Sequence, residues 1–151
     1  MTWALDVTLK SRKYVYGLLE NLSLEQLNKV PEGFNNNIIW NVAHTIVTQQ
    51  LLVYRLSGLP CMVPEDMIAR YRKGTKAEGD VTQAEVDAIK NLMFSTIEKT
   101  AEDYDNEVFQ TYNEYTVTTK NTLTNVDDAI DFNNFHEGIH LGYILALQRV
   151  I

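Results

Sequence analysis

The chain is poor in cysteine and carries few basic residues, and each shortage excludes a class of protein. Cys61 is the only cysteine in 151 residues, so no disulfide can form within the chain. A lone cysteine suits a reducing compartment, and we expect a cytoplasmic protein. The N-terminal segment carries Asp6, Lys10 and Arg12 where a signal peptide needs an uninterrupted apolar core, which predicts an untargeted protein.

The balance of charge argues against two kinds of partner. Acidic residues outnumber basic ones by 20 to 13, for a formal net charge of −7. This excess repels phosphate backbones and anionic lipid surfaces, so the sequence predicts no nucleic acid and no membrane as partners. The longest apolar region, residues 38–56, is interrupted by polar side chains such as Asn41, His44 and Gln50, and it is not a membrane span.

Helical periodicity of apolar residues predicts four long helices. They cover about residues 4–22, 38–57, 83–105 and 125–151, and the three prolines of the chain all lie outside them. Thr82 followed by Glu85 is a capping-box signature that predicts the start of the third helix. We therefore expect an all-α protein, a four-helix bundle with two long connections, in a single domain over residues 1–151.

The two long connections have different compositions. Between Leu59 and Gly79 the pattern weakens, with room for a short helix near Glu65–Arg72. The segment Val108–Thr124 is rich in β-branched and aromatic residues without helical periodicity, which predicts extended chain or a short hairpin.

The histidines are the most informative residues of the sequence. His136 and His140 are four residues apart, so both lie on one face of the last helix, within an apolar stripe. His44 lies on a similar apolar face of the second helix, beside Trp40. As plain core residues, each would need its own hydrogen-bond partner in an apolar setting. We predict instead that the three meet inside the bundle and hold a metal ion.

The donor set indicates what such a metal site can do. Three neutral imidazoles leave at least one coordination position open, as is typical of catalytic rather than structural metal sites. The ion keeps its full charge and lowers the pKa of a water molecule or thiol that it binds. Imidazole suits zinc, nickel, iron and copper, so the spacing does not choose among them.

Several residues near the histidines are candidates for supporting roles. Glu137, one turn before His140, is a candidate catalytic acid or base or an orienting partner, and the alternative is a solvated surface carboxylate. Asn41, one turn before His44, is expected to hydrogen-bond a ligand histidine or a backbone group. Tyr104 and Tyr143 are candidate donors to a metal-bound group or ordinary core and rim aromatics. Cys61 is either an outer ligand or incidental.

A line of small residues on the last helix bears on assembly. Gly138, Gly142 and Ala146 recur at helical spacing, roughly opposite His136. Such a line serves intramolecular packing or a dimer seam. Because the second and fourth helices are apolar on nearly all sides, we favour a homodimer.

Two segments of the chain resemble the DinB-like superfamily, which includes bacillithiol transferases and mycothiol-dependent enzymes. They are NNIIWNVAHTIVTQQLLVYRLSGLP and FNNFHEGIHLGYILALQRV. The resemblance implies a divalent metal, commonly zinc or nickel, held by His44, His136 and His140. It also implies an open coordination position, frequent homodimers and, in some members, a low-molecular-weight thiol that attacks an electrophile.

Three hypotheses about function follow. The first is a metal-dependent enzyme, a thiol S-transferase or a hydrolase, acting on a small molecule. A thiol that carries carboxylates would need basic residues at the mouth of the site, for which Arg55, Arg70, Arg72 and Lys73 are available. The second is a non-catalytic, dimeric stress-response protein that binds a metal or small molecule. The third is a plain helical bundle with core histidines.

Overall fold

The chain is mostly helical, and its helices begin where the sequence offers capping side chains. The structure is a computed structural model that describes all residues, 1–151. Its elements in chain order are α1 (Trp3–Leu19), α2 (Leu24–Asn28), α3 (Ile38–Gln50, continued by a π-helical turn, Leu51–Arg55), α4 (Glu65–Tyr71), α5 (Gln83–Asp105), β1 (Tyr115–Thr116), β2 (Thr122–Leu123) and α6 (Val126–Leu147). The expected all-α class is confirmed.

Local hydrogen bonds explain the helix starts. Asn37 caps α3 by accepting from the Trp40 amide, and Asn125 caps α6 by accepting from the Asp128 amide. The expected capping box of Thr82 and Glu85 is present at α5. In each case a side chain supplies a partner for an amide that the first helical turn leaves without one.

The four long helices pack side by side. Helix α6 lies against α1 and α3, and α5 lies against the same two helices. Nearly every residue of α3 is buried, as expected for a helix that is apolar on almost all sides. The histidine-bearing helices α3 and α6 are therefore neighbours, and their facing surfaces meet inside the protein.

The second long connection forms a small cover over one part of the helices. Its hairpin pairs β1 and β2 antiparallel, with Tyr115 opposite Leu123, which confirms the expected extended structure there. The Tyr112 hydroxyl donates to the Leu52 carbonyl at 3.0 Å and ties this connection to the π-helical turn. The hairpin thereby forms one wall of the cavity described below.

Three boundaries differ from the sequence prediction, and one of them is the end of the last helix, which lies at Leu147 rather than at residue 151. The first helix ends at Leu19 rather than near residue 22, because Ser23 already caps α2 and the chain has to turn between the two helices. The second helix does not stay α-helical to residue 57 but widens into a π-helical turn at Leu51–Arg55. No helix combines the length and the apolar character needed to cross a membrane.

Candidate metal centre

The three histidines converge from two neighbouring helices. His44 is buried on α3, and His136 and His140 are partly buried on α6. The ring centroid of His44 lies 5.1 Å from that of His136 and 4.7 Å from that of His140. One nitrogen from each residue can be chosen so that all three lie within 4.8 Å of one another. The sequence predicted that these residues lie on apolar helix faces, and the packing of α3 against α6 brings them together.

The spacing of two of these nitrogens suits a common ion. Nε2 of His44 lies 3.2 Å from Nε2 of His136. Two nitrogens that each lie about 2.0–2.1 Å from a tetrahedral zinc ion are separated by about 3.3–3.4 Å. The donor chemistry and this separation therefore fit a divalent metal.

Hydrogen bonds at the far side of two rings set their tautomers. Nδ1 of His44 donates to the carbonyl oxygen of Tyr71 at 2.6 Å. Because a carbonyl oxygen only accepts, the hydrogen of the neutral ring is on Nδ1, and the lone pair is on Nε2. Nε2 is the atom that faces His136, so His44 presents a ligand atom to the centre.

His140 is oriented in the same way by Asn41. Nδ1 of His140 lies 2.8 Å from Oδ1 of Asn41, and the Asn41 amide group donates to the carbonyl of Asn37 at 2.8 Å. The second bond assigns the amide orientation, so Oδ1 accepts from Nδ1–H. Asn41 thus hydrogen-bonds both a histidine of the cluster and a backbone group.

His136 differs from the other two, since its second nitrogen has no protein partner. Nδ1 of His136 is buried and makes no hydrogen bond. Leaving a buried polar atom unmet costs free energy, and the only polar contact of this ring is that of Nε2 with Nε2 of His44 at 3.2 Å. Its position is explained if Nε2, which faces His44, has a role.

Burial keeps these rings neutral. Desolvation, with smaller effects of the neighbouring His140 and His44, lowers the pKa of His136 to about 3. Desolvation, followed by the effect of His44, lowers the pKa of His140 to about 4. Burial also lowers the pKa of His44, although the Tyr71 hydrogen bond opposes this. Neutral imidazole is the form that binds a metal, so the cluster is ready for one at neutral pH.

Trp40 holds the His44 ring from one side. The two rings are stacked, with centroids 4.6 Å apart and planes within 10° of parallel. Trp40 precedes His44 by one helical turn, so the stack follows from helix geometry. Together with the Tyr71 carbonyl, it leaves the His44 ring little freedom to rotate.

The histidines line a cavity of about 610 Å³ that opens to solvent. This volume is in the range of pockets for small molecules, about 300–1,000 Å³. Its apolar walls come from the π-helical turn, the hairpin and α6, and include Leu52, Val117 and Phe132. Of the four basic residues named from the sequence, Arg55 and Lys73 line this cavity. Arg70 instead pairs with Glu85 on α5.

Glu137 is not in this cavity, and the expectation of a solvated carboxylate is wrong as well. It is only 7% exposed. Its carboxylate accepts from the guanidinium of Arg12, with the closest contact at 2.7 Å, and from the Asn133 amide at 2.9 Å. Successive helical residues point about 100° apart, and this rotation carries the Glu137 side chain from the histidine face to the face that α1 covers.

Tyr104 and Cys61 also lie elsewhere, whereas the ring of Tyr143 lies 6.2 Å from that of His140. The Tyr104 hydroxyl donates to Asp127 at 2.6 Å, and Tyr143 is half exposed. Cys61 contacts the carbonyl of Gln50, and burial raises the pKa of its thiol. None of these three residues lines the cavity. The sequence reasoning missed the Tyr71 carbonyl, because any residue has a carbonyl and no sequence signal marks this one.

Comparison with known proteins agrees with this geometry. No curated protein matches the sequence. The family model of the DinB superfamily matches residues 8–144, which span α1 to α6 and include all three histidines. The chain therefore belongs to the DinB superfamily.

Proposed function

We propose that this protein is a cytoplasmic, divalent-metal-dependent enzyme of the thiol S-transferase or hydrolase type, built on a four-helix bundle of the DinB-like type. His44, His136 and His140 are the metal ligands, and zinc or nickel is the expected ion, with iron as a further option. The substrate is a small molecule, and a low-molecular-weight thiol is the expected nucleophile for the transferase reaction.

One observation carries the proposal: three neutral imidazoles converge at the wall of an open cavity large enough for a small molecule. A purely structural zinc site is closed by four protein ligands, whereas a three-histidine site leaves a position for water or substrate. His44, His136 and His140 would hold a divalent ion there, and such an ion would lower the pKa of a water molecule or thiol that it binds and so supply a nucleophile near neutral pH.

The residues of the chain prepare this chemistry. The Tyr71 carbonyl and Asn41 accept the Nδ1 hydrogens of His44 and His140, which directs the Nε2 lone pairs inward. The stacked Trp40 limits rotation of His44. The apolar walls reduce the local dielectric constant, which strengthens electrostatic interactions at the centre.

The metal is tested first. Protein purified without chelator is analysed by inductively coupled plasma mass spectrometry, and we expect a stoichiometric amount of zinc, nickel or iron that is lost in the His44→Ala, His136→Ala and His140→Ala variants. Metal should also raise the melting temperature of the chelator-treated protein. If the native protein holds no metal and neither zinc nor nickel stabilises it, the histidines are core residues and the proposal is overturned.

Activity is tested next on the metal-loaded protein. Transfer of cysteine to 1-chloro-2,4-dinitrobenzene assays the transferase, and hydrolysis of p-nitrophenyl acetate assays the hydrolase. Turnover that depends on the metal and on the three histidines supports an enzyme. If metal binds but neither reaction is accelerated, the alternative below gains support.

The alternative is a non-catalytic, dimeric stress-response protein that binds a metal or a small molecule. One observation favours it: the nearest candidate acid or base, Glu137, is engaged with Arg12 and lies outside the cavity. Mass spectrometry of the native protein distinguishes the two functions, because a binding protein should retain an intact small molecule that is not consumed on incubation.

We also propose a homodimer through the outer face of α6. Phe135, Ile139 and Tyr143 are about half exposed on this face. Between them, Gly138 and Gly142 are exposed, and a Cβ atom added at either would meet nothing within 4 Å. An apolar helix face with two small residues allows a second helix to approach closely, and a second copy of the chain presents the same face.

A further inference from the structure

The lining of the histidine cavity differs in charge from the rest of the protein. The chain has 20 acidic and 13 basic residues, yet none of the sixteen residues that line the cavity is acidic. Two of them, Arg55 and Lys73, are basic. A divalent ion on the three neutral histidines would add to this positive charge. The cavity is therefore a positive region in an acidic protein, and it favours an anionic ligand.

Lys73 has no acidic partner. Its ammonium donates to the Thr118 hydroxyl at 2.7 Å and forms no ion pair. An ammonium carries three donors, so two remain after this bond. Thr118 belongs to the turn between β1 and β2, and this contact places the charge between the hairpin and the helices, where both border the cavity.

Arg55 retains donors in spite of its ion pair. It contacts Glu65, whose side chain is 77% exposed, and an ion pair so open to water contributes little. A guanidinium has five N–H donors in a planar fork, and Glu65 engages only the Nη2 end. The remaining donors can form a bidentate contact with a carboxylate.

The helix separates Arg55 from the histidines. His44 and Arg55 lie on the same continuous helical segment, roughly 16 Å apart along its axis. The walls between them are mainly apolar, and half of the residues that line the cavity are hydrophobic. The cavity thus has the three histidines at one end and Arg55 at the other, and Lys73 lines the side that the hairpin forms.

We propose that the substrate is a small amphipathic monoanion, a carboxylic acid with an apolar body, whose carboxylate is bound by Arg55, while Lys73 adds positive charge to the wall of the same cavity. Its apolar body lies along Leu52 and Phe132, and its reacting end faces His44, His136 and His140. A single carboxylate matches the free donors of one guanidinium, and a mainly apolar wall disfavours a more highly charged ligand. This inference rests on the proposed function, because it assigns the reacting end to the metal centre.

The test uses a matched pair of probes, 6-phenylhexanoate and its uncharged amide, in isothermal titration of the zinc-loaded full chain. We expect the acid to bind at least tenfold more tightly than the amide, as a charge-assisted contact implies. Lys73→Met and Arg55→Met should each reduce this preference by about tenfold or less, because both groups are partly solvated. Lys76→Met is the control, since Lys76 is exposed in the same loop but does not line the cavity.

Two results would overturn the inference. One is equal affinity for the acid and the amide. The other is a preference for the acid that persists in the Arg55→Met, Lys73→Met double variant, because the carboxylate would then bind the metal itself. Circular dichroism confirms that each variant is folded, and the exposed position of both side chains makes loss of folding unexpected.

The same titration in a His44→Ala, His136→Ala, His140→Ala variant separates this inference from the proposed function. This variant lacks the proposed metal ligands but keeps Arg55 and Lys73. If the wild type binds no metal but the acid preference depends on Arg55 and Lys73, the proposed function fails and the anion site stands. If metal binds and the preference is absent, the anion site fails and the proposed function stands.

Discussion

At the scale of single residues, the tautomers of the histidines decide whether the cluster can hold an ion. His44 and His140 each donate Nδ1–H to an oxygen, and this leaves both Nε2 atoms as acceptors. A cluster of core histidines without a metal would instead need donors for those acceptors, and the His136 ring can supply one, from its Nε2 to that of His44 at 3.2 Å. The Thr48 hydroxyl, 3.4 Å from Nε2 of His44, is the only hydroxyl in hydrogen-bonding range of a ring nitrogen.

The first prediction concerns Asn41, which accepts a hydrogen bond from the ring of His140, a proposed ligand. We expect Asn41→Ala to weaken metal binding by about 10–100-fold, as loss of such a partner typically does, because the His140 ring loses its tautomer and orientation. Competition with a chromophoric chelator measures the affinity. Asn21→Ala, at the exposed end of α1, is the control and should bind metal like the wild type. Equal affinities in both variants would show that Asn41 does not orient a ligand.

The second prediction concerns the pH dependence of stability in the metal-free protein. His136 and His140 have folded pKa values of about 3 and about 4, below the ordinary value near 6.5. The unfolded state therefore binds more protons between pH 6.5 and 4. The contribution of these two neutral histidines to the free energy of unfolding is fully present above about pH 6.5, and it is lost as the pH falls through this window.

Urea denaturation between pH 7.5 and 5 measures this effect. Each proton taken up on unfolding lowers the free energy of unfolding by about 1.4 kcal/mol per pH unit. A His136→Gln, His140→Gln variant should show a shallower decline over the same range. Parallel curves for the two proteins would contradict the burial of neutral imidazoles.

At the scale of elements, a buried ion pair joins three helices. Arg12 on α1 is 2% exposed and contacts Glu137 on α6. Its guanidinium also donates to the carbonyl of Met93 and the hydroxyl of Thr96 on α5, both at 2.9 Å. Because Glu137 follows His136 directly, this network fixes the rotation of α6 about its axis, and with it the direction of His136 and His140.

The third prediction tests this role of Glu137 against a catalytic one. We expect Glu137→Ala to destabilise the protein by about 3–5 kcal/mol, because Arg12 is left as an unpaired buried charge. The Arg12→Met, Glu137→Met double variant should recover much of this loss, since no charge remains buried. Urea denaturation measures both.

Activity provides the second readout for Glu137. A structural role predicts that the double variant, if folded, keeps the pH profile of kcat/KM of the wild type, because the carboxylate does not contact the cavity. Loss of one limb of that profile in a folded variant would identify Glu137 as an acid or base after all.

At the scale of the whole molecule, the exposed face of α6 has no partner within one chain. Between Phe132 and Leu147 the helix carries one acidic or basic residue, Glu137, and that residue is buried on another face. Phe135 and Ile139 also line the cavity. A second copy on this face would lie next to the cavity as well as against the helix.

The fourth prediction follows from the glycines on this face. Space is open around Gly142, so in a monomer Gly142→Leu should be tolerated, and replacing a helical glycine should stabilise the helix by up to about 1 kcal/mol. In a closely packed dimer the same change should dissociate the two chains. Light scattering after size exclusion measures the mass, and Gly17→Leu, on α1 with similarly open space, is the control. A monomeric wild type would contradict the dimer.

Much of the helical architecture was predictable from the sequence, because it depends on near neighbours along the chain. The apolar period and the capping box at Thr82 act within a few residues, and the structure contains both. The π-helical turn was not predictable, since Leu51–Arg55 has the composition of an ordinary helix and its widening depends on what packs around it.

The amino-acid sequence by itself determined on which helix face each of the three histidines lies. Residue spacing and an apolar stripe are properties of each helix taken alone. Which side chains share a cavity was decided only in three dimensions. Glu137 is about 60° from His140 around the helix, near enough to join it, until α1 packs there and Arg12 binds its carboxylate. Lys73 is brought to the cavity by a hairpin more than forty residues away, and contacts of that range leave no local pattern in the sequence.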